Sequence, residues 1–160
     1  MNDKKNTIPE IIVSAVEETF EEMAFLEACQ VEAPDEPPEE DTLLRASLLV
    51  HDPFPGELCL VAPRSLLTGM ARMLFSTAEE SIPDETLLDL QSELLNTIAG
   101  RVMKEITPED ATFKLGLPET GVESLSDSDG EAVEYHFNVD GEILSMAVSG
   151  EALLARGEIC

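Results

Sequence analysis

Residues 133–148 read VEYHFNVDGEILSMAV, and this stretch decides the architecture. Val133, Tyr135, Phe137 and Val139 alternate with Glu134, His136 and Asn138, the period-two pattern of a strand with one dry and one wet face. Asp140-Gly141 is a preferred two-residue hairpin turn. With that turn, Phe137 faces Leu144, Tyr135 faces Met146 and Val133 faces Val148, so the apolar residues of both strands share one side. A half-buried antiparallel hairpin needs a cover for that side.

Working outward, Thr112 to Leu117 is a further predicted strand, and the polar stretch from Glu119 to Gly130 a loop. Leu43 to Val50 and Glu57 to Ala62 are two more predicted strands, joined by HDPFPG, whose prolines and glycine mark a turn region. The cover comes from three helices. Over Ile8 to Gln30, the residues Ile12, Ala15, Val16, Thr19, Phe20 and Met23 form one stripe at helical spacing, with Phe25 off it. Pro63 suits a first helical turn, and Leu66, Leu67, Met70 and Leu74 continue that helix to Phe75. Pro83, Asp84 and Glu85 open a third helix that runs to about Ile106, where Thr107-Pro108 stops it. Between the first helix and the first strand, Val31 to Asp41 (VEAPDEPPEED) reads as an acidic, proline-rich linker. The order predicts an α+β fold, an antiparallel sheet with helices packed against it, in a single domain over residues 1–160.

The chain has 160 residues, 43% of them apolar, enough for one core. Nine Lys plus Arg against 34 Asp plus Glu give a formal net charge of −25. Phosphate backbones and anionic membrane surfaces are bound largely through Lys and Arg, so nucleic acid and membrane are excluded as expected partners. No segment approaches the roughly 20 apolar residues of a spanning helix, and the uncharged run Ile11 to Val16 is too short for a signal peptide. A cytoplasmic location is expected. Cys29, Cys59 and Cys160 have no metal-ligand spacing and read as idle thiols. Asp127-Ser128-Asp129-Gly130 is part of a calcium-loop pattern, but Leu125 occupies the first ligand position, so a turn is the better reading. His51 and His136 stand far apart and read as structural histidines.

The third helix carries the chemistry. With Leu87 at 0° and about 100° per residue, Leu94, Leu95, Ile98, Val102 and Ile106 cluster within about 130°. Asp89, Glu93, Asn96 and Gly100 fall at roughly 180° to 240°, opposite that core face. A carboxylate, an amide and a bare backbone therefore share one outward strip. An interior helix glycine costs about 1 kcal/mol relative to Ala, and close approach by another surface is a gain that would offset it.

The string Glu93-Leu94-Leu95-Asn96-Thr97-Ile98-Ala99-Gly100 resembles the E-x-x-N…A-G helix signature of the CheX/CheC/FliY family of chemotaxis phosphatases. The helix before it, with Ala71-Arg72-Met73-Leu74, is similar to the one that precedes the signature there. Family members with two active surfaces carry a second E-x-x-N on an earlier helix. Glu21-Glu22-Met23-Ala24-Phe25 has no Asn at either third step, so one site is expected, as in the CheX branch.

The resemblance implies a phosphatase acting on the aspartyl phosphate of a phosphorylated CheY-like receiver domain in chemotaxis or two-component signalling. It implies that Glu93 pairs with the receiver's active-site lysine and that Asp89 and Gly100 belong to the partner-binding surface. It also implies a homodimer joined through sheet edges. No cofactor or metal is expected on this chain, because the Mg in such a complex belongs to the receiver. Hydrolysis of an acyl phosphate needs an in-line water and tolerance of charge on the phosphoryl oxygens. Asn96 is neutral, can accept from a water and donate to an oxygen, and is too weakly basic to be a general base, so its role is orientation. The alternative is a non-catalytic binding or adaptor module for a phosphorylated receiver.

Overall fold

The structure is a computed structural model that describes residues 7–35, 43–52, 54–76, 82–121, 132–150 and 153. In chain order the elements are α1 (Ile8–Ala24), β1 (Ala28–Val31), β2 (Leu43–Asp52), β3 (Gly56–Pro63), α2 (Arg64–Leu74), α3 (Asp84–Ile106), β4 (Lys114–Leu115), β5 (Glu119–Gly121), β6 (Val133–Val139) and β7 (Glu142–Ser149). The strands form one sheet in the order β1-β6-β7-β3-β2-β4, with β5 also on β2. Each of these pairings is antiparallel.

The β6–β7 hairpin has the expected register, Val133 opposite Val148, Tyr135 opposite Met146 and Phe137 opposite Leu144. Asp140 and Gly141 both have positive φ, as their turn requires. Tyr135, Phe137, Leu144, Met146 and Val148 are buried, as are Leu58, Leu60 and Ala62 of β3 and Leu44, Ala46, Leu48 and Val50 of β2. They form one cluster with Ile12, Val16 and Phe20 of α1, Leu67 and Met70 of α2, and Leu94, Leu95 and Ile98 of α3. The end of β7 crosses the start of β3 so closely that a Cβ on Gly150, at φ +113, would lie 2.5 Å from the Gly56 Cα.

Three expectations need correction. The first helix ends at Ala24, because Phe25 takes a left-handed conformation (φ 57, ψ 32) with its N–H donating to the Phe20 carbonyl. The Leu26 N–H donates to the same oxygen at 3.2 Å. Residues 28–31, read as helix and linker, instead form β1 on the edge of the sheet, with Ala28 opposite Val139 and Val31 opposite His136. A left-handed residue other than Gly costs about 1–2 kcal/mol, and Phe25 at 75% exposure packs little of its ring against the core. Second, the strand expected over 112–117 has only two ladder residues, Lys114 and Leu115, and a shifted register beside Val50. Third, the expected loop begins with a strand, because Glu119–Gly121 pairs with Ser47, Ala46 and Arg45. The linker over 36–41, the loop over 122–130 with its Asp127–Gly130 turn, and Cys160 lie outside the described residues.

Candidate functional site

α3 is fixed to the rest of the molecule at both ends and in the middle. Asp84 and Glu85 stand in its first turn and Lys104 in its last, each favourable to the helix dipole. Arg64 at the start of α2 pairs with Asp84 at 3.2 Å. Gln91 is fully buried, and its Nε2 donates at 2.8 Å to the carbonyls of Leu44 on β2 and Leu60 on β3. A helix held by apolar contacts alone can slide or roll; two directed bonds to neighbouring strands set its height and rotation. The cost is an unpartnered buried Oε1.

Near the other end, Arg101 donates to Glu18 of α1 at 2.8 Å and to Glu22 of the same helix. Bonding to Glu22 raises the pKa of the guanidinium further above its ordinary value. Beside this clasp a cavity of about 220 Å³ is lined by Ile11, Ser14 and Ala15 of α1 with Lys104 and Glu105 of α3. Early residues of α1 thus meet late residues of α3, and the two helices run antiparallel.

The fixed rotation leaves Asp89, Glu93 and Asn96 exposed and Gly100 half-exposed, while Leu87, Leu94, Leu95, Ile98, Val102 and Ile106 are buried. The four strip residues span about 16 Å along the helix. Asp89, Glu93 and Asn96 make no side-chain hydrogen bond or ion pair with the described residues. Among the described residues nothing lies within 4 Å of a Cβ placed on Gly100, so no contact with them demands a glycine there. The strip can present one carboxylate, one amide and a flat stretch of helix to a second molecule.

Other polar groups are placed for structure. His136 Nδ1 is 2.8 Å from Ser145 Oγ on the paired strand. Burial pushes the Cys59 thiol up to about 11, and a hydrogen bond to Glu27 raises that of Cys29. Both thiols are free, and a raised pKa leaves them weakly nucleophilic. Among the described residues no group of three or more His, Cys, Asp or Glu could hold a metal ion, and no helix is long and apolar enough to cross a membrane. Gln91 and Arg101 escaped the sequence reading. The available signal for Gln91 was an amide at about 40° on the wheel, inside the apolar stripe. Arg101 offered only the scarcity of cations in an acidic chain.

No curated protein sequence matches the chain. Among solved structures it is similar to the chemotaxis protein CheX of Vibrio vulnificus, with 11% identity, 94% of this chain and 100% of that one covered, and a TM-score of 0.74. It is similar to CheX of a Desulfovibrio desulfuricans subspecies, with 12% identity, coverage of 90% and 99%, and a TM-score of 0.72. It is also similar to a chain of the CheX–CheY–BeF3–Mg complex of Borrelia burgdorferi, with 17% identity, coverage of 91% and 98%, and a TM-score of 0.72. At such identities the likeness is one of fold. The sequence profile described as "Chemotaxis phosphatase CheX" matches residues 46–136, which contain all of α3. The chain belongs to the CheX family.

Proposed function

We propose that the chain hydrolyses the aspartyl phosphate of a CheY-like receiver domain, with Asn96 orienting the attacking water and Glu93 anchoring the partner. The observation that carries this reading is the exposed strip on α3, where a carboxylate and an amide one turn apart have no side-chain bond among the described residues. Both side chains are exposed and so accessible to a second molecule. The Borrelia relative, solved together with CheY, BeF3 and Mg, supports the choice of partner.

In this reading the Asn96 amide oxygen accepts from the water and its NH2 donates to a phosphoryl oxygen. Water attacks phosphorus in line, the acyl P–O bond breaks, and the receiver's aspartate leaves as a carboxylate. No bond forms to this chain. Mg on the receiver supplies charge stabilisation there. Glu93 forms an ion pair with a receiver lysine one turn from Asn96, and Asp89 extends the same acidic rail. Gly100 lets the partner backbone approach the helix. The chain would pair as a homodimer through an exposed sheet edge, offered by β1 on one side and by β4 and β5 on the other.

The test is the decay of phosphate on receiver domains from the same genome, with and without the protein. Faster decay on at least one receiver is expected. Binding without faster decay would make the protein a sequestering module, and neither effect on any receiver would remove the reading.

A further inference from the structure

Leu49, Glu57 and Ser149 stand side by side on three neighbouring strands. In the ladders Leu49 of β2 is opposite Glu57 of β3, and Glu57 is opposite Ser149 of β7. Side chains opposite one another in an antiparallel sheet share a face, with Cβ atoms about 4.5–5.5 Å apart. Leu58, the next residue of β3, is buried in the cluster that contains the helices, so by alternation the row lies on the sheet face turned away from them. An open cavity of about 430 Å³ is lined by all three residues, together with His51, Pro55 and Gly150. That volume falls within the roughly 300–1,000 Å³ of small-molecule sites.

The polar groups of this cavity are unused by the fold. Ser149 is only 8% exposed, and its hydroxyl makes no hydrogen bond among the described residues. Glu57 is half-buried, and its carboxylate likewise has no hydrogen bond or ion pair among them. A shielded hydroxyl and a shielded carboxylate left without partners both carry a desolvation cost. Burial, and then the charge of Glu119, make ionisation of Glu57 harder still. Beside them Leu49 leaves a large apolar side chain 52% exposed. Among the described residues no group of three or more His, Cys, Asp or Glu could hold a metal ion, so a bare metal cation is not the match. An ammonium on a short carbon chain is. It carries one positive charge and three donors, enough to pair with the Glu57 carboxylate and to donate to Ser149 Oγ, and its chain covers Leu49.

We propose that this cavity is a binding site for a small primary amine, held as its ammonium between Glu57 and Ser149 with its carbon chain against Leu49. The inference is independent of the receiver reading, because the row lies on the sheet face opposite the helices. It assigns binding to these residues and no chemistry.

The test titrates the full chain with n-butylammonium chloride at constant ionic strength, followed by backbone amide shifts in isotope-labelled protein. Saturable shifts are expected at Leu49, Glu57 and Ser149. n-Butanol has the same carbon chain without the charge and should bind roughly tenfold more weakly. Glu57→Gln keeps the shape, removes the charge and relieves the repulsion from Glu119, so its melting temperature should not fall while its dissociation constant for n-butylammonium rises roughly tenfold. Ser149→Ala should raise that constant roughly threefold. Shifts that never saturate, or that spread over the acidic surface without favouring this row, would overturn the proposal. Equal affinity for n-butanol, or an affinity unchanged in either variant, would overturn it too. Should Glu57→Gln unfold, the n-butanol comparison and Ser149→Ala decide the same question.

Discussion

Gly100 is the residue at which stability and binding pull in opposite directions. It sits inside a 23-residue helix with open space where a Cβ would be. Replacing an interior helix glycine by alanine there recovers backbone entropy and clashes with none of the described residues. Gly100→Ala should therefore stabilise the fold by about 0.5–1 kcal/mol, read as a higher denaturant midpoint at unchanged slope. The same methyl group would stand between the helix and an incoming receiver, so the half-saturating concentration for dephosphorylation should rise. A destabilised Gly100→Ala would mean that the glycine serves a contact within the chain. Asn96 and Glu93 differ from it in cost, because both are tolerated on an exposed helix face and their removal should leave stability almost unchanged.

At the scale of elements, the account turns on how α3 is seated. The two bonds from Gln91 to Leu44 and Leu60 cross from the helix to neighbouring strands, and breaking them leaves two buried carbonyls without that donor. Gln91→Leu also removes the unpartnered Oε1, which offsets part of the loss. The net expectation is a loss of about 1–2 kcal/mol in urea unfolding, with a larger fall in the maximal dephosphorylation rate than in receiver affinity, because the strip would lose its fixed rotation. An unaffected rate would show that apolar packing alone orients the strip.

The seating of α3 also marks what the sequence discloses and what it withholds. The exposed and buried faces of α3 follow from a 3.6-residue period, and the β6–β7 register follows from alternation plus Asp140-Gly141, since both signals are local. The end of α1 does not. Phe25 is a poor left-handed residue, and Glu27, Ala28 and Gln30 suit a helix as well as a strand; β1 exists because β6 offers an open edge. β5 likewise has no alternation of its own and is made by the free side of β2. Of the candidate site, residue types and facing were legible. Gln91 and the Arg101 clasp were not, because their partners lie 31 to 83 residues away in the chain.

For the whole molecule, a formal charge of −25 on 160 residues is a self-repelling surface. The screening length falls from about 30 Å at 0.01 M salt to about 3 Å at 1 M, so the melting temperature should rise with added NaCl. Proton linkage acts in the same direction. Burial, and then repulsion from Glu119, lift the Glu57 carboxyl above its ordinary 4.5. The folded state thus binds that proton more readily than the unfolded state, and stability gains as pH falls through that region. Burial lifts the Cys59 thiol from 9.0 to about 11 and raises Tyr135 above 10.0. Cys59 thus favours the folded state below pH 9 and loses that contribution as pH rises through 11, and Tyr135 contributes in the same sense below its ordinary 10.0 and loses it at higher pH. Melting temperatures that fall on added salt, or hold constant from pH 8 to 11, would contradict this picture.

The central claim, that an exposed amide on α3 orients water at a receiver's aspartyl phosphate, is tested most directly by one measurement. Phosphate decay on the responsive receiver is followed at saturating protein for wild type and Asn96→Ala, with binding of the same receiver measured alongside. The account predicts that decay in the presence of Asn96→Ala returns to the rate of the receiver alone while the receiver still binds. Decay that remains as fast as with wild type would contradict it.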